Sequence, residues 1–313
     1  MHTLVTRGRH DPQELALPLL VHAAINGSAE PAVPIAAAHA LWWRSANTFD
    51  DVADGDAGSL MYGMDRGAAM TAALECGYGL PLRALAALSV PDPLRRALTT
   101  DYLDGWAAAS DGQIRDILNR PHTVETDGVY ETYRKKSGAI YAMACVMSAR
   151  LSHSARPEQN SPGNDEVAAW REFGEVLGIL AQFRNDHEDL RGGPGADLRN
   201  RTATYLLVHL LHRSDQTTRE RALPLLDQAP VSEPHRQELA ELLLSPQVLH
   251  PYNQFVAKLR HRAHTLLDTL VHSSPFAEPL RARVDANARP LLPTGSPWRE
   301  HVDQADFATT DLR

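Results

Sequence analysis

Trp42-Trp43-Arg44-Ser45-Ala46-Asn47-Thr48-Phe49-Asp50-Asp51-Val52-Ala53-Asp54-Gly55-Asp56 is the stretch on which the reading of this chain turns. An alanine-rich apolar run from Pro34 to Phe49 contains no further helix breaker and predicts a helix. Asp50, Asp51, Asp54 and Asp56 then crowd into its end, and Gly55 supplies a helix stop. Carboxylates at a helix C-terminus face the negative end of the macrodipole, where a purely structural design would place Lys or Arg. Asp50 and Asp54, at i and i+4, share one face. Two carboxylates held together against an unfavourable dipole call for a cation.

The 313 residues are enough for one large core or two modest ones. A hydrophobic fraction of 43% and a charged fraction of 22% are ordinary for a soluble globular enzyme. The net charge of −8 and the lack of a basic cluster argue against a nucleic-acid partner. Cys76 and Cys145 have neither metal-ligand nor redox spacing, and read as small apolar residues in a reducing compartment. Arg7 and Arg9 precede an apolar run, but Asp11 and Glu14 interrupt the basic region and no small-x-small cleavage site follows. No window approaches the roughly 20 apolar residues of a membrane span. The expectation is a cytoplasmic protein without membrane insertion.

Helical periodicity dominates the rest. Helices are expected over Leu15–Ile25, Asp92–Ile117, Thr123–Leu151 and Val167–Leu190, and over Met61–Leu88 with a break at Gly77, Gly79 and Pro81. Five shorter ones follow: Ala203–Arg213, Thr217–Ala229, Pro234–Leu244, Tyr252–Val271 and Pro275–Ala288. The proline- and serine-rich segment from Pro157 to Gly163 reads as a loop. Strand signals are lacking throughout, so the fold class is all-α. The expected organisation is one catalytic domain over residues 1–289, a helical bundle around an apolar cavity, followed by a tail over 290–313.

A second acidic cluster closes the helix Val167–Leu190, in Gln182-Phe183-Arg184-Asn185-Asp186-His187-Glu188-Asp189. Asn185 and Asp189 are i, i+4 partners, and Gln182 lies one turn earlier on nearly the same face. Two such clusters, each ending a long apolar helix, read as opposing walls of one site. No thiolate is near, and His187, a lone histidine at a helix end, is expected to be solvated, so zinc is disfavoured. All-oxygen ligation suits magnesium, which keeps waters and completes its octahedron with substrate phosphate oxygens. A diphosphate bridged by metal is therefore implied, with Lys135, Lys136 and Arg201 as candidate cationic partners.

These residues resemble the trans-isoprenyl diphosphate synthase superfamily with its terpene-synthase relatives. Asp50-Asp51-Val52-Ala53-Asp54 is similar to the first aspartate-rich motif, and the segment Phe173-Gly174 through Gly178 to Asp189 to the second. Lys136-Ser137-Gly138 stands where the family has Lys-Thr, and Arg199-Asn200-Arg201-Thr202 where it has a basic residue followed by threonine. The resemblance implies a homodimeric enzyme acting on an allylic prenyl diphosphate of fifteen or twenty carbons. It implies that Asp50 and Asp54 bind two magnesium ions and that Asn185 with Asp189 holds a third. Asp51, Asp186 and Gln182 would support the metals and their waters, while Lys136 and Arg201 would contact the diphosphate. Ser45 and Ala46, five and four residues before the first motif, would line the prenyl-chain pocket, with Phe183 and Trp106 as the aromatic faces nearest a carbocation.

The departures from the family bear on the outcome. Elongating members carry a Gly-Gly-Lys-Arg signature and, soon after the first motif, paired arginines, both for isopentenyl diphosphate. Here the segments Asp11–Leu17 and Ala57–Arg66 contain neither. A second diphosphate without cationic partners would bind poorly. The second motif opens with Asn185 rather than aspartate, similar both to terpene synthases and to transferases that act on non-isoprenoid acceptors. Ionisation followed by cyclisation or elimination is the first expectation. Prenyl transfer to a non-isoprenoid acceptor and chain elongation remain the alternatives.

Overall fold

The computed structural model describes residues 12–53, 60–61, 63–154, 164–191, 195–271 and 273–292. In chain order its helices begin with α1 (Pro12–Asn26), α2 (Val33–Ala53) and α3 (Arg66–Leu74). A π-helical turn, Glu75–Gly79, links α3 to α4 (Leu80–Ala86). Then come α5 (Asp92–Leu118), α6 (Thr126–Tyr133), a second π turn over Arg134–Gly138, α7 (Ala139–Ser154) and α8 (Asn164–Arg191). The rest are α9 (Ala196–Asn200), α10 (Tyr205–Arg213), α11 (Gln216–Gln228), α12 (Glu233–Leu243), α13 (Pro246–Leu270) and α14 (Ala277–Asn287). The expected loop over Pro157–Gly163 lies outside the described residues.

The all-α expectation holds. The one exception among the described residues is a two-residue antiparallel pair, β1 (Leu60–Met61) with β2 (Met64–Asp65). It corrects the expectation of no strands. Its cause is local: Gly63 adopts a left-handed φ of 79°, which closes a tight turn without any alternating apolar run to announce it. Asp65 then caps α3, its Oδ1 accepting from the Ala68 amide at 2.9 Å.

Two compact units emerge. The first comprises residues 1–118, 131–182 and 260–287; the second comprises 119–130, 183–259 and 288–313. In the first, α7 is the central rod. Every residue from Ile140 to Ala149 is buried, the mark of a helix apolar on all sides and surrounded by others. α1 and α5 pack on α7, and α1 also packs on α2 and α14. The core joins Ile35, Trp42, Leu85, Leu98, Tyr102, Ile140 and Met143. In the second unit, α11 packs on α12 and both meet α10, burying Leu207, Leu210, Leu226, Leu239 and Leu243. Asn253 pins residue 291 from both sides: its amide donates to the Leu291 carbonyl at 2.9 Å and its oxygen accepts the Leu291 N–H at 3.2 Å.

Within the first unit, His39 of α2 is buried, with its Nε2 accepting from Trp43 Nε1 at 3.1 Å and its ring set edge-on to Tyr141. Burial, aided by the charge of Arg283, pushes its pKa from 6.5 down to about 3. Below pH 6.5 the unfolded chain therefore binds a proton that the folded chain refuses. This stability is present above the unfolded value and is lost as pH falls toward 3. Between pH 7 and pH 5 the loss is expected to be up to about 2 kcal/mol for this one group. Urea unfolding at both pH values should show a smaller pH dependence in His39→Leu than in the wild type, and an equal dependence would refute the assignment.

Candidate active site

The first acidic helix end lies wholly in the first unit. Asp50 and Asp51 close α2 as the sequence predicts, whereas Asp54 and Asp56 lie outside the described residues. Asp50 is engaged twice through one oxygen: Gln113 Nε2 donates to its Oδ1 at 2.7 Å, and Lys136 Nζ donates to the same atom at 3.2 Å. Lys136 also donates to Asp116 Oδ2 at 2.7 Å. Burial works against the lysine's charge, but the carboxylates of Asp116 and Asp50 outweigh it and hold the ammonium well above its ordinary pKa. Lys136 therefore stays charged throughout the accessible pH range. Gln113 and Asp116 on α5 are not among the residues the sequence singles out, because the sequence does not show which face of α5 meets the turn that carries Lys136.

Local architecture explains how Lys136 reaches this place. It sits in the π turn Arg134–Gly138, which carries one residue more per turn than an α-helix and so re-aims its side chains. Two glycines let neighbouring helices come close to the backbone of that turn. A Cβ on Gly112 of α5 would lie 2.2 Å from the Lys136 amide nitrogen, and one on Gly178 of α8 would lie 2.7 Å from the Ser137 carbonyl oxygen. Ser137 Oγ donates to Gln182 Oε1 at 2.7 Å, tying the turn to α8. Lys135, next to it, is drawn the other way, to Asp111 at 2.5 Å.

About one helical turn before Asp50, Ser45, Gly77 and Trp106 meet. A Cβ on Gly77 would lie 2.3 Å from the Trp106 ring and 2.4 Å from Ser45 Oγ. Gly77 belongs to the first π turn, and its carbonyl accepts from Tyr102 Oη at 2.6 Å. The Ser45 hydroxyl is buried without a hydrogen-bond partner among the described residues. Ala46 and Trp106 are partly buried against the same apolar core, and Trp42 is buried within it.

The second acidic cluster belongs to the second unit from Phe183 onward. Asn185 is exposed, Asp189 is half-buried and Asp186 is buried. Asp189 accepts from the Ala196 and Asp197 amides at 3.0 and 3.3 Å, so it caps the short helix α9, which sequence reading had passed over. Arg201, at a left-handed φ of 54°, donates to the Asp227 carbonyl at 2.6 Å. Phe183 is fully buried, edge-on to Tyr205, Tyr252 and Phe255. His187 corrects an expectation: it is buried rather than solvated, bonded through Nε2 to Tyr252 Oη at 2.5 Å. Burial, with Arg191 adding, pushes its pKa down to about 3, so the ring is neutral.

Among the described residues no group of three or more His, Cys, Asp and Glu side chains could hold a metal ion by itself. The chemistry of the donors nonetheless fits magnesium. Asp50 and Asp51 offer hard carboxylate oxygens at one helix end, and the second cluster offers carboxylate and amide oxygens, while its only imidazole is taken by Tyr252.

The polyprenyl synthetase family model matches residues 73–243, and the chain belongs to that family. A curated relative, the tryptophan prenyltransferase ComQ of Bacillus spizizenii, is 27% identical over 180 residues, which is 57% of this chain. The chain spans 58% of the length of that relative. Among solved structures, geranylgeranyl pyrophosphate synthetase from Pyrococcus horikoshii superposes with a TM-score of 0.74 at 18% identity, over 88% of this chain and 85% of the other. Polyprenyl synthetase from Streptomyces coelicolor gives 0.72 at 21% identity, over 90% and 84%. Geranylgeranyl pyrophosphate synthase from Corynebacterium glutamicum, complexed with isoprenyl diphosphate and magnesium, gives 0.72 at 17% identity, over 92% and 89%. These likenesses show the isoprenoid-synthase helical fold.

Proposed function

We propose that this protein transfers a prenyl group from an allylic diphosphate to a non-isoprenoid acceptor with an electron-rich aromatic ring. The similarity to a tryptophan prenyltransferase is the observation that carries this reading. It agrees with the lack of paired arginines over Ala57–Arg66, where a second diphosphate would need them. In the reaction, the bond between the allylic carbon and the diphosphate oxygen breaks. A bond from that carbon to the acceptor ring forms, and the ring gives up a proton.

The family is magnesium-dependent. In the first unit Asp50, Asp51 and Asp54 are the residues that would hold metal, and in the second unit Asn185, Asp186 and Asp189. Magnesium would supply Lewis-acid charge for departure of the diphosphate. The chain's own part is positional. Lys136, fixed by Asp116, keeps a permanent positive charge for the leaving diphosphate, and Gln113 orients Asp50. Arg201, in the second unit, would be a further cation for a diphosphate. Ser45, Ala46 and Trp106 would shelter the hydrocarbon chain, and Trp106 would offer an aromatic face to positive charge; Phe183, expected to do the same, is instead fully buried among Tyr205, Tyr252 and Phe255.

A second reading, cyclisation or elimination of a fifteen- or twenty-carbon cation, draws on the Asn185-Asp186 opening of the second motif. One experiment separates the readings. Ten-, fifteen- and twenty-carbon allylic diphosphates are incubated with magnesium, alone, with N-acetyltryptophanamide, or with isopentenyl diphosphate. A prenyl mass increment on the indole is expected. Hydrocarbon formed without acceptor would replace transfer with cyclisation, and longer diphosphates formed only with isopentenyl diphosphate would defeat both.

A further inference from the structure

The last two turns of α8 bury two polar side chains side by side. Asp186 and His187 are 7% and 3% exposed, while Asn185 and Glu188 face solvent. Around them stand aromatic rings of the same unit: Phe183 and His187 are each edge-on to Tyr252, and Tyr205 stacks on Phe255 with centroids 5.1 Å apart. Apolar packing of this kind is non-directional, so an aromatic cage alone would tolerate a helix turned a little about its axis. A hydrogen bond is directional and weakens steeply when misaligned. Tyr252 Oη and His187 Nε2 make such a bond, at 2.5 Å, between that cage and a side chain of the motif itself. Burial makes it costly to break, because either partner left alone would be an unsatisfied polar group.

We infer that Tyr252 is a positioning residue for the second acidic segment: by holding His187 it sets the rotation of the end of α8, and with it the direction in which Asn185 and Asp189 are presented. Tyr252 acts through His187 and is assigned no contact with metal or substrate. The inference rests on the reading of the chain as a magnesium-dependent prenyl-transferring enzyme, since that reading is what gives Asn185 and Asp189 work to do. Its structural content stands apart from that reading, because the rotation of a helix end can be measured without turnover.

Two variants separate positioning from plain stability. Tyr252→Phe removes the hydroxyl and strands His187, whereas the double variant Tyr252→Phe/His187→Leu removes both polar partners and restores an apolar pair. Amide hydrogen exchange over residues 183–191 and calorimetric titration with magnesium plus inorganic pyrophosphate are measured for each, beside thermal unfolding. Tyr252→Phe is expected to unfold at lower temperature. The double variant is expected to recover most of that loss, yet both should exchange about tenfold faster over 185–189 and bind magnesium pyrophosphate about tenfold more weakly than wild type. A double variant with wild-type exchange and wild-type binding would show that the bond serves stability alone and overturn the inference. Wild-type exchange in Tyr252→Phe would overturn it equally. If the wild type itself binds no magnesium pyrophosphate, the magnesium-dependent reading falls, and the exchange data alone still decide the role of Tyr252.

Discussion

Asp50→Ala is expected to lower diphosphate release from an allylic substrate by about a thousandfold, the scale of losing a group on which developing charge depends. Two effects act together. The variant removes an oxygen ligand proposed for magnesium, and it removes one of the two carboxylates that hold Lys136. Asp116 remains, so the lysine keeps its charge and the fold should persist with a near-normal unfolding temperature. Continuous detection of pyrophosphate against a catalytically active wild type reads the effect. Turnover within a few-fold of wild type would defeat the assignment of Asp50 as a metal ligand.

Gly112→Ala should have the largest effect outside the acidic residues. The added methyl would stand 2.2 Å from the Lys136 nitrogen and 2.6 Å from Lys135 C and Lys136 Cα. All three are backbone atoms, so no side chain can swing aside. α5 and the π turn must part, at a cost of about 3 kcal/mol, the upper end of ordinary overpacking. Separation also carries Asp116 and Gln113 away from Lys136 and Asp50, so activity should fall at least tenfold beyond any loss of folded protein, given how steeply catalysis depends on placement. Urea unfolding and diphosphate release per folded molecule check the two parts. A variant as stable as wild type would show that the helices are not in contact as described.

Much of this fold is legible in the sequence because long apolar runs at helical spacing leave few alternatives. Leu15–Ile25 is read for α1 (Pro12–Asn26), Asp92–Ile117 for α5 (Asp92–Leu118), and Val167–Leu190 for α8 (Asn164–Arg191). The misses have physical causes. A π turn adds a single residue, which barely disturbs apolar periodicity, so neither Glu75–Gly79 nor Arg134–Gly138 could be told from α-helix beyond a break suspected near Gly77. α9 is five residues long and carries no periodic signal of its own; its cap, Asp189, lies seven residues upstream of Ala196. His187 departs from expectation because a lone histidine at a helix end looks solvated, and its contact with Tyr252 of α13 is invisible in the local sequence. Of the candidate site, Asp50, Lys136, Ser137 and Gln182 were legible as individuals. Their connections through Gln113 and Asp116 were not, since these depend on which face of α5 meets the π turn.

That turn also limits what this gene can change by insertion and deletion. Removing one residue between Tyr133 and Ala139 would convert the bulge to regular helix; the flanking turns would keep close to their present faces, and the residues within the bulge, Lys136 among them, would be re-aimed. Lys136 would then face a different neighbour even though its identity were unchanged. In this stretch the number of residues is under as much constraint as their kind.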